Sequence, residues 1–238
     1  MRPTIPLRDN VPSRRLPWLN YLLLGSNVAV FLYQIRLGRE GLTRFIYSFG
    51  LVPARFSVPG WAIRVGLPAV GYLPFLTAIF LHGSLGHLVS NMWSLWLFGD
   101  NVEDRLGHGR FLFLYLGSGI AANILQYYTN PTSQIPTIGA SGAIAGIMGA
   151  YFLLYPRARI ITLVPIFFYP LFLEVPASFY LLLWFLSQVF YAGVQPAGGG
   201  GVAWWAHIGG FLAGMVGAVV LKRRNYYRPW FEDEYRPW

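Results

Sequence analysis

The stretch Gly139-Ala140-Ser141-Gly142 opens an apolar run that ends at Tyr155. A serine between two small residues at this position is either a packing residue or a nucleophile on a tight turn. Packing is the common case, because small residues let helices approach closely within a membrane. A histidine, His207, opens a second apolar run with a similar stripe of small residues. What the sequence predicts therefore depends on whether these two side chains meet.

The composition is that of a polytopic membrane protein. Of 238 residues, 55% are hydrophobic and 11% are charged, whereas a soluble domain carries about 25% charged residues. The net charge of +9 would favour a nucleic-acid partner in a soluble chain. Here the Lys and Arg residues flank the apolar runs, so they indicate orientation in the lipid bilayer instead. The sequence has no cysteine, which excludes disulfides and thiolate chemistry.

Six apolar segments predict an all-α bundle of six transmembrane helices. The predicted spans cover residues 16–35, 85–99, 111–128, 141–155, 176–191 and 202–221. We expect a connection over 37–72 that is partly folded on the membrane surface and a charged turn over 100–110. The apolar stretch 160–173 is too short to span a bilayer and is interrupted by Pro165 and Pro170. We therefore expect it to be interfacial or re-entrant.

The basic residues predict the orientation of these spans. A cytoplasmic basic arm over residues 1–15 precedes the first span, and Lys222-Arg223-Arg224 follows the last one. Six spans put both ends of the domain, residues 16–221, on one side, which the positive charges assign to the cytoplasm. We therefore expect an inner or plasma membrane protein with a cytoplasmic tail over 222–238. The second, fourth and sixth spans then run inward from the outer face.

Four polar residues share one depth in this topology. His87 and Asn91 lie early in the second span and on one helix face, because they are four residues apart. Ser141 opens the fourth span, and His207 lies early in the sixth. Glycines at helical spacing in the fourth and sixth spans favour close contact between those helices. Ionisable groups inside a membrane are expensive, so the cluster indicates a functional site.

The residue types limit the chemistry of this cluster. Metal binding by His82, His87 and His207 is conceivable, because imidazole is a common ligand. The helical His-Glu-x-x-His pair is absent, however, since His87 is followed by Leu-Val-Ser-Asn. None of the nine acidic residues lies inside a predicted span, so neither aspartyl chemistry nor a complete Ser-His-Asp triad is expected. A serine with a histidine base remains.

The same residues carry a resemblance to the rhomboid family of intramembrane serine proteases. The matching motifs occur in order along the chain: His82-x4-His87-x3-Asn91, Glu103-x-Arg105, Gly139-x-Ser141-Gly142 and Ala206-His207-x2-Gly210-x3-Gly214. The resemblance implies a six-helix bundle with an outward-opening, water-filled cavity and with neither metal nor other cofactor. Its substrates would be membrane proteins, cut near the outer face.

The resemblance also implies a role for each motif residue. Ser141 would be the nucleophile and His207 the general base. The backbone N–H of Ser141 and the side chains of His87 and Asn91 would form the oxyanion hole. Supporting and structural roles fall to the remaining positions: His82, Gly139 and Gly142 near the site, Glu103 and Arg105 as a structural pair, and Gly210 and Gly214 between helices.

One departure leaves a question open. Family members often have an aromatic residue four positions after the serine that stacks on the catalytic histidine, whereas this chain has Ala145. The resemblance therefore does not say what orients His207.

The predicted function is that of an intramembrane serine endopeptidase. A catalytically silent relative that binds membrane helices is the alternative; a transporter is disfavoured because no repeated half-structure is apparent.

Overall fold

The fold, taken from a computed structural model that describes residues 5–166, 169–194 and 201–222, is mostly helical, as the sequence predicts. The α-helices are α1 (Trp18–Arg36), α2 (Gly38–Phe49), α3 (Ala54–Ser57), α4 (Trp61–Arg64), α5 (Pro74–Thr77), α6 (Leu85–Leu106), α7 (His108–Thr129), α8 (Ser141–Leu154), α9 (Ala177–Val194) and α10 (Trp204–Leu221). A 3-10 helix, Ala78–Phe80, lies between α5 and α6. The strands are β1 (Ile5–Asp9), β2 (Arg159–Ile166) and β3 (Tyr169–Pro176).

Six helices coincide with the six predicted apolar segments: α1, α6, α7, α8, α9 and α10. Among the described helices, α9 and α10 combine the length and the hydropathy needed to cross a bilayer, while α8 is apolar but only 14 residues long. The helices α1, α6 and α7 carry amide or charged side chains along their length. That all six helices span a membrane therefore stays a prediction.

The expectation of an all-α fold is only partly confirmed, because β1, β2 and β3 form an antiparallel sheet with β2 in the centre. The strands β2 and β3 contain the described residues of the stretch 160–173, for which the sequence predicts an interfacial or re-entrant segment. This stretch is rich in β-branched and aromatic residues, which favour strands. Its two prolines, Pro165 and Pro170, lie opposite each other in the hairpin. The third strand, β1, comes from the far end of the chain.

The strand β1 attaches the described part of the predicted basic arm to two helices. Asp9, at the end of β1, accepts hydrogen bonds from the Tyr151 hydroxyl of α8 and from Asn101 Nδ2 of α6, the latter at 2.8 Å. Trp93 Nε1 of α6 donates to the Pro6 carbonyl oxygen at 2.7 Å. This segment is therefore part of the folded domain.

The predicted charged turn over residues 100–110 is wrong. The helix α6 continues to Leu106, and Gly107, with a φ of 83°, separates it from α7. Glu103 is 1% exposed and accepts hydrogen bonds from the backbone N–H groups of Leu19 at 3.2 Å and Asn20 at 2.7 Å. These donors begin α1 and have no partner within that helix, so the carboxylate satisfies them and stabilises the positive end of the helix.

The helices α8 and α10 touch through their backbones. A Cβ atom added at Gly210 would overlap the carbonyl oxygen of Gly142, and one added at Gly214 would overlap that of Gly146. Glycine is required at both positions because the facing backbone leaves no room for a side chain. The close contact predicted from the small residues is therefore present, and it aligns the N-terminal ends of the two helices.

The long connection over 37–72 is partly folded, as predicted. It contains α2, α3 and α4, and Trp61 packs with Val52 and Ala54 in a small apolar cluster of its own. The position of this segment relative to a membrane stays a prediction. The glycines 198–200, which belong to a run of four glycines just before the last predicted span, and the tail from residue 223 lie outside the described residues.

Candidate active site

The structure brings Ser141 and His207 into hydrogen-bonding contact. Ser141 is the first residue of α8 and His207 lies in the first turn of α10. The Ser141 Oγ atom lies 2.8 Å from His207 Nε2. The contact follows from the packing, because the Gly142–Gly210 approach holds the two helix starts side by side. Both residues line a cavity of about 690 Å³.

A residue outside the sequence motifs contacts the other side of the imidazole. Gln188 of α9 places Oε1 2.7 Å from His207 Nδ1. Its Nε2 donates to the Trp184 carbonyl oxygen at 3.0 Å and to Ser187 Oγ at 2.8 Å. Gln188 is 4% exposed and is the one amide side chain in the predicted span 176–191. It shares the buried stripe of α9 with Leu181 and Ala192, and that spacing was the signal available in the sequence.

The aromatic neighbours of His207 come from other positions than the one four residues after the serine. Ala145 is fully buried in α8. The Trp184 ring of α9 lies with its centroid 5.8 Å from that of His207, tilted by 33°, and the Trp204 ring of α10 lies at 6.1 Å, edge-on. The imidazole is therefore enclosed by two indoles and one amide.

His82 and Asn91 are bonded to each other at the start of α6. Asn91 Nδ2 lies 3.0 Å from His82 Nε2, and both side chains are buried. An amide nitrogen only donates, so His82 Nε2 is the acceptor in this bond. Since the amide carries two hydrogens, the second one remains for another acceptor. Asn91 also lines the cavity that contains Ser141.

His87 reaches the same cavity from the first turn of α6. Ser84 caps this helix by accepting a hydrogen bond from the His87 backbone N–H at 3.1 Å. The His87 ring packs against Gly139, where an added Cβ atom would lie 2.7 Å from the ring atoms Cε1 and Nε2. Gly139 also has a φ of 128°, in the region that favours glycine. The motif glycine before Ser141 therefore makes room for His87.

Gly142 packs on the other side of the site, where an added Cβ atom would lie 2.6 Å from Ala122 Cβ.

Glu103 and Arg105 lie far from the site, because Glu103 follows His87 by sixteen residues of continuous helix, about 24 Å. The Glu103 carboxylate is bonded to the start of α1 and lies 2.5 Å from His108 Nδ1. The proposed pairing of Glu103 with Arg105 stays a prediction.

The histidines are not arranged as a shared set of metal ligands. Both ring nitrogens of His207 and Nε2 of His82 have protein partners. Within residues 5–166, 169–194 and 201–222, no cluster of three or more His, Asp or Glu side chains has the geometry of a metal site. The arrangement fits proton transfer between a hydroxyl and an imidazole, beside several donors on one cavity wall.

Comparison with known proteins agrees with these observations. The family model of the rhomboid domain matches residues 71–224. The chain is 29% identical to mitochondrial Rhomboid protein 1 of Saccharomyces cerevisiae over 83% of its own length and 51% of that protein. It is 44% identical to the rhomboid relative YdcA of Bacillus subtilis over 50% of its length and 62% of that protein. It is 29% identical to Rhomboid protease GluP of Bacillus subtilis over 86% of its length.

The chain thus spans between 35% and 62% of the length of these three relatives. The matched region of the family model contains α6 to α10 and hence Ser141, His207 and Gln188. Because the family model of the rhomboid domain matches more than half of the chain, the chain belongs to the rhomboid family.

Proposed function

We propose that the protein is an intramembrane serine endopeptidase that cleaves membrane-protein substrates with Ser141 as nucleophile and His207 as base. The observation that carries this function is the 2.8 Å contact between Ser141 Oγ and His207 Nε2 at a cavity. Rhomboid proteins are integral to membranes, and one relative of this chain bears the name of a rhomboid protease.

The reaction follows from the contact between hydroxyl and imidazole. As Ser141 Oγ bonds to the scissile carbonyl carbon, His207 Nε2 accepts the hydroxyl proton. His207 then gives this proton to the leaving amine nitrogen, the C–N bond breaks, and an acyl-enzyme ester remains. A water molecule from the cavity attacks the ester with His207 again as base. The ester C–Oγ bond then breaks and His207 returns the proton to Ser141 Oγ, which releases the carboxylic acid and restores the serine hydroxyl.

The negative charge on the tetrahedral oxygen would be stabilised by three donors. Because α8 begins at Ser141, the Ser141 backbone N–H has no partner within its helix. The side chains of His87 and Asn91 line the same cavity. Each donor aimed at such an oxyanion contributes roughly 10²–10³ in rate.

The topology proposed for the six long helices puts this cavity near the outer face, with both termini in the cytoplasm of an inner or plasma membrane. A substrate helix has its backbone bonded internally and must unwind to enter an extended site, so helix-weakening residues should favour cleavage. The candidate gate is α9, the fifth predicted span, together with the run of glycines 198–201 that follows it in the sequence. One stripe of α9 is buried, while the apolar side chains of Phe179, Leu183 and Phe190 are exposed.

The function is tested by incubating the purified protein in detergent with a single-span substrate. Wild type should cleave it, and Ser141→Ala and His207→Ala should not. Ser26→Ala is the matched control, because Ser26 lies on α1 and bonds only within its own helix. We expect this control to cleave at the wild-type rate.

Two other outcomes would contradict the mechanism. Equal cleavage by wild type and Ser141→Ala would remove Ser141 as nucleophile. No cleavage by wild type of any of several membrane-protein substrates would favour the catalytically silent relative that binds membrane helices.

A further inference from the structure

We propose that Gln188 is a positioning residue that fixes the proton of the neutral His207 ring on Nδ1 and so leaves Nε2 free to accept the Ser141 proton. This inference rests on the proposed function of the Ser141–His207 pair, and it assigns to α9 a part in the catalytic arrangement. It also answers the question that Ala145 leaves open.

The hydrogen bonds of Gln188 determine which of its atoms faces the imidazole. A carbonyl oxygen only accepts, and the Trp184 carbonyl lies 3.0 Å from the amide nitrogen of Gln188. The second hydrogen of that nitrogen points to Ser187 Oγ at 2.8 Å. Turning the amide over would set two carbonyl oxygens against each other. The Gln188 oxygen therefore faces His207 Nδ1, at 2.7 Å.

This orientation determines the tautomer of the ring. In a neutral imidazole one nitrogen carries the hydrogen and the other accepts. Because the Gln188 oxygen can only accept, the hydrogen must be on Nδ1. Nε2 is then an acceptor facing Ser141 Oγ at 2.8 Å. In the opposite tautomer the Gln188 contact would be lost, and Nε2–H would donate to the serine oxygen, so that Nε2 could not accept the hydroxyl proton.

A glutamine does this without a charge. In Ser-His-Asp triads a carboxylate holds the corresponding nitrogen, but a carboxylate in this apolar helix would carry a desolvation cost. The neutral amide avoids the desolvation cost of a charge. Its nitrogen is fixed by the hydrogen bond to the Trp184 carbonyl of α9. Gln188 is thus positioned by the helix and in turn positions His207.

The test compares Gln188→Met with Gln188→Glu. Methionine has a similar length but offers only a weak acceptor, while glutamate in its neutral form keeps an oxygen that accepts from Nδ1–H and a hydroxyl that can donate to the Trp184 carbonyl. Leu22→Met is the matched control, because it introduces the same side chain at an exposed position of α1, outside the site and the candidate gate. We expect kcat to fall about 10- to 100-fold in Gln188→Met with KM unchanged. Gln188→Glu should recover most of the loss, and Leu22→Met should match wild type.

A second readout does not depend on cleavage. The chain has four histidines, so nitrogen NMR of a histidine-labelled sample resolves the His207 ring, which is identified by its disappearance in His207→Ala. Wild type and Gln188→Glu should show the hydrogen on Nδ1. Gln188→Met should show a mixture of tautomers or the Nε2–H form.

The outcomes separate this inference from the proposed function. If Gln188→Met keeps both the wild-type kcat and the wild-type ring spectrum, Gln188 does not position His207, whether or not the protein is a protease. If wild type cleaves nothing but the spectra change as expected, the positioning role stands and the protease function fails. Should Gln188→Met lower the melting temperature strongly, Gln188→Asn, which keeps the amide but is one methylene shorter, is judged by the same two readouts.

Discussion

The side-chain amide of Gln34 bonds the backbone of His82 in both directions. Gln34 Nε2 donates to the His82 carbonyl oxygen at 3.1 Å, and the His82 N–H donates to Gln34 Oε1 at 3.0 Å. Gln34 belongs to α1 and His82 to the turn before α6, and both are buried. The first helix therefore fixes the turn whose histidine in turn contacts Asn91.

We predict that Gln34→Leu destabilises the protein by roughly 2–4 kcal/mol, because it leaves a buried N–H and a buried carbonyl without partners. Thermal unfolding in detergent measures the effect. Tyr33→Leu, next to it on the exposed side of α1, should unfold near the wild-type temperature. Equal melting temperatures for wild type and Gln34→Leu would mean that these two hydrogen bonds do not stabilise the turn.

Asn91→Ala should reduce kcat about 10²–10³-fold without abolishing it. The other two donors proposed for the oxyanion, the Ser141 N–H and the His87 side chain, remain in this variant. Initial rates of substrate cleavage provide the measurement. Ser94→Ala, three residues further along α6 and bonded only to the Ser90 carbonyl, is expected to keep full activity. Loss of less than a factor of three in Asn91→Ala would remove it from the oxyanion hole.

Gly210→Ala should unfold or separate the α8–α10 pair, because the new Cβ atom would overlap the carbonyl oxygen of Gly142. The control is Gly117→Ala in α7, where nothing lies within 4 Å of the added atom. That substitution should leave stability unchanged or raise it by up to about 1 kcal/mol through helix propensity. Melting temperatures of the two variants are compared. A Gly210→Ala protein as stable as Gly117→Ala would show that the backbones can separate without loss.

Glu103→Gln should lower the free energy of unfolding by about 1–3 kcal/mol, because one of the two backbone donors at the start of α1 loses its charged acceptor. Unfolding in detergent with increasing denaturant measures the change. Glu174→Gln is the control, since Glu174 forms a surface ion pair with Arg159 at 3.5 Å, a kind of contact that contributes little. If the two variants unfold alike, the buried carboxylate is not what holds α1.

The long helices were predictable because their apolar runs are long and separated by polar residues. The contact of Ser141 with His207 also followed from sequence, since glycines recur at helical spacing beneath both residues and allow the backbones to meet. The prediction of a charged turn over residues 100–110 was wrong because Glu103 is a buried acceptor within α6 and not a solvent-exposed turn residue. Its acceptor role depends on the N–H groups of Leu19 and Asn20, more than eighty residues earlier, and a local pattern does not reveal such a partner.

The sheet and Gln188 could not be predicted for related reasons. The strand β2 pairs with β1 across about 150 residues of sequence, and this distance carries no periodic signal. Gln188 stands alone in an apolar helix, and the bond to His207 depends on how α9 is rotated against α10. Its position on the stripe with Leu181 and Ala192 was visible, but the identity of the facing residue was not.

The pairing of β1 with β2 bears on how this protein should be handled in the laboratory. Trimming the first ten residues to obtain a shorter expression clone would strip β2 of a neighbour and uncover a row of unsatisfied amides and carbonyls. Two truncated molecules would then pair through their exposed β2 edges, and the resulting aggregate would resemble a natural dimer. Purification tags at the amino end should therefore be joined through a spacer ahead of Ile5, with the native strand kept whole.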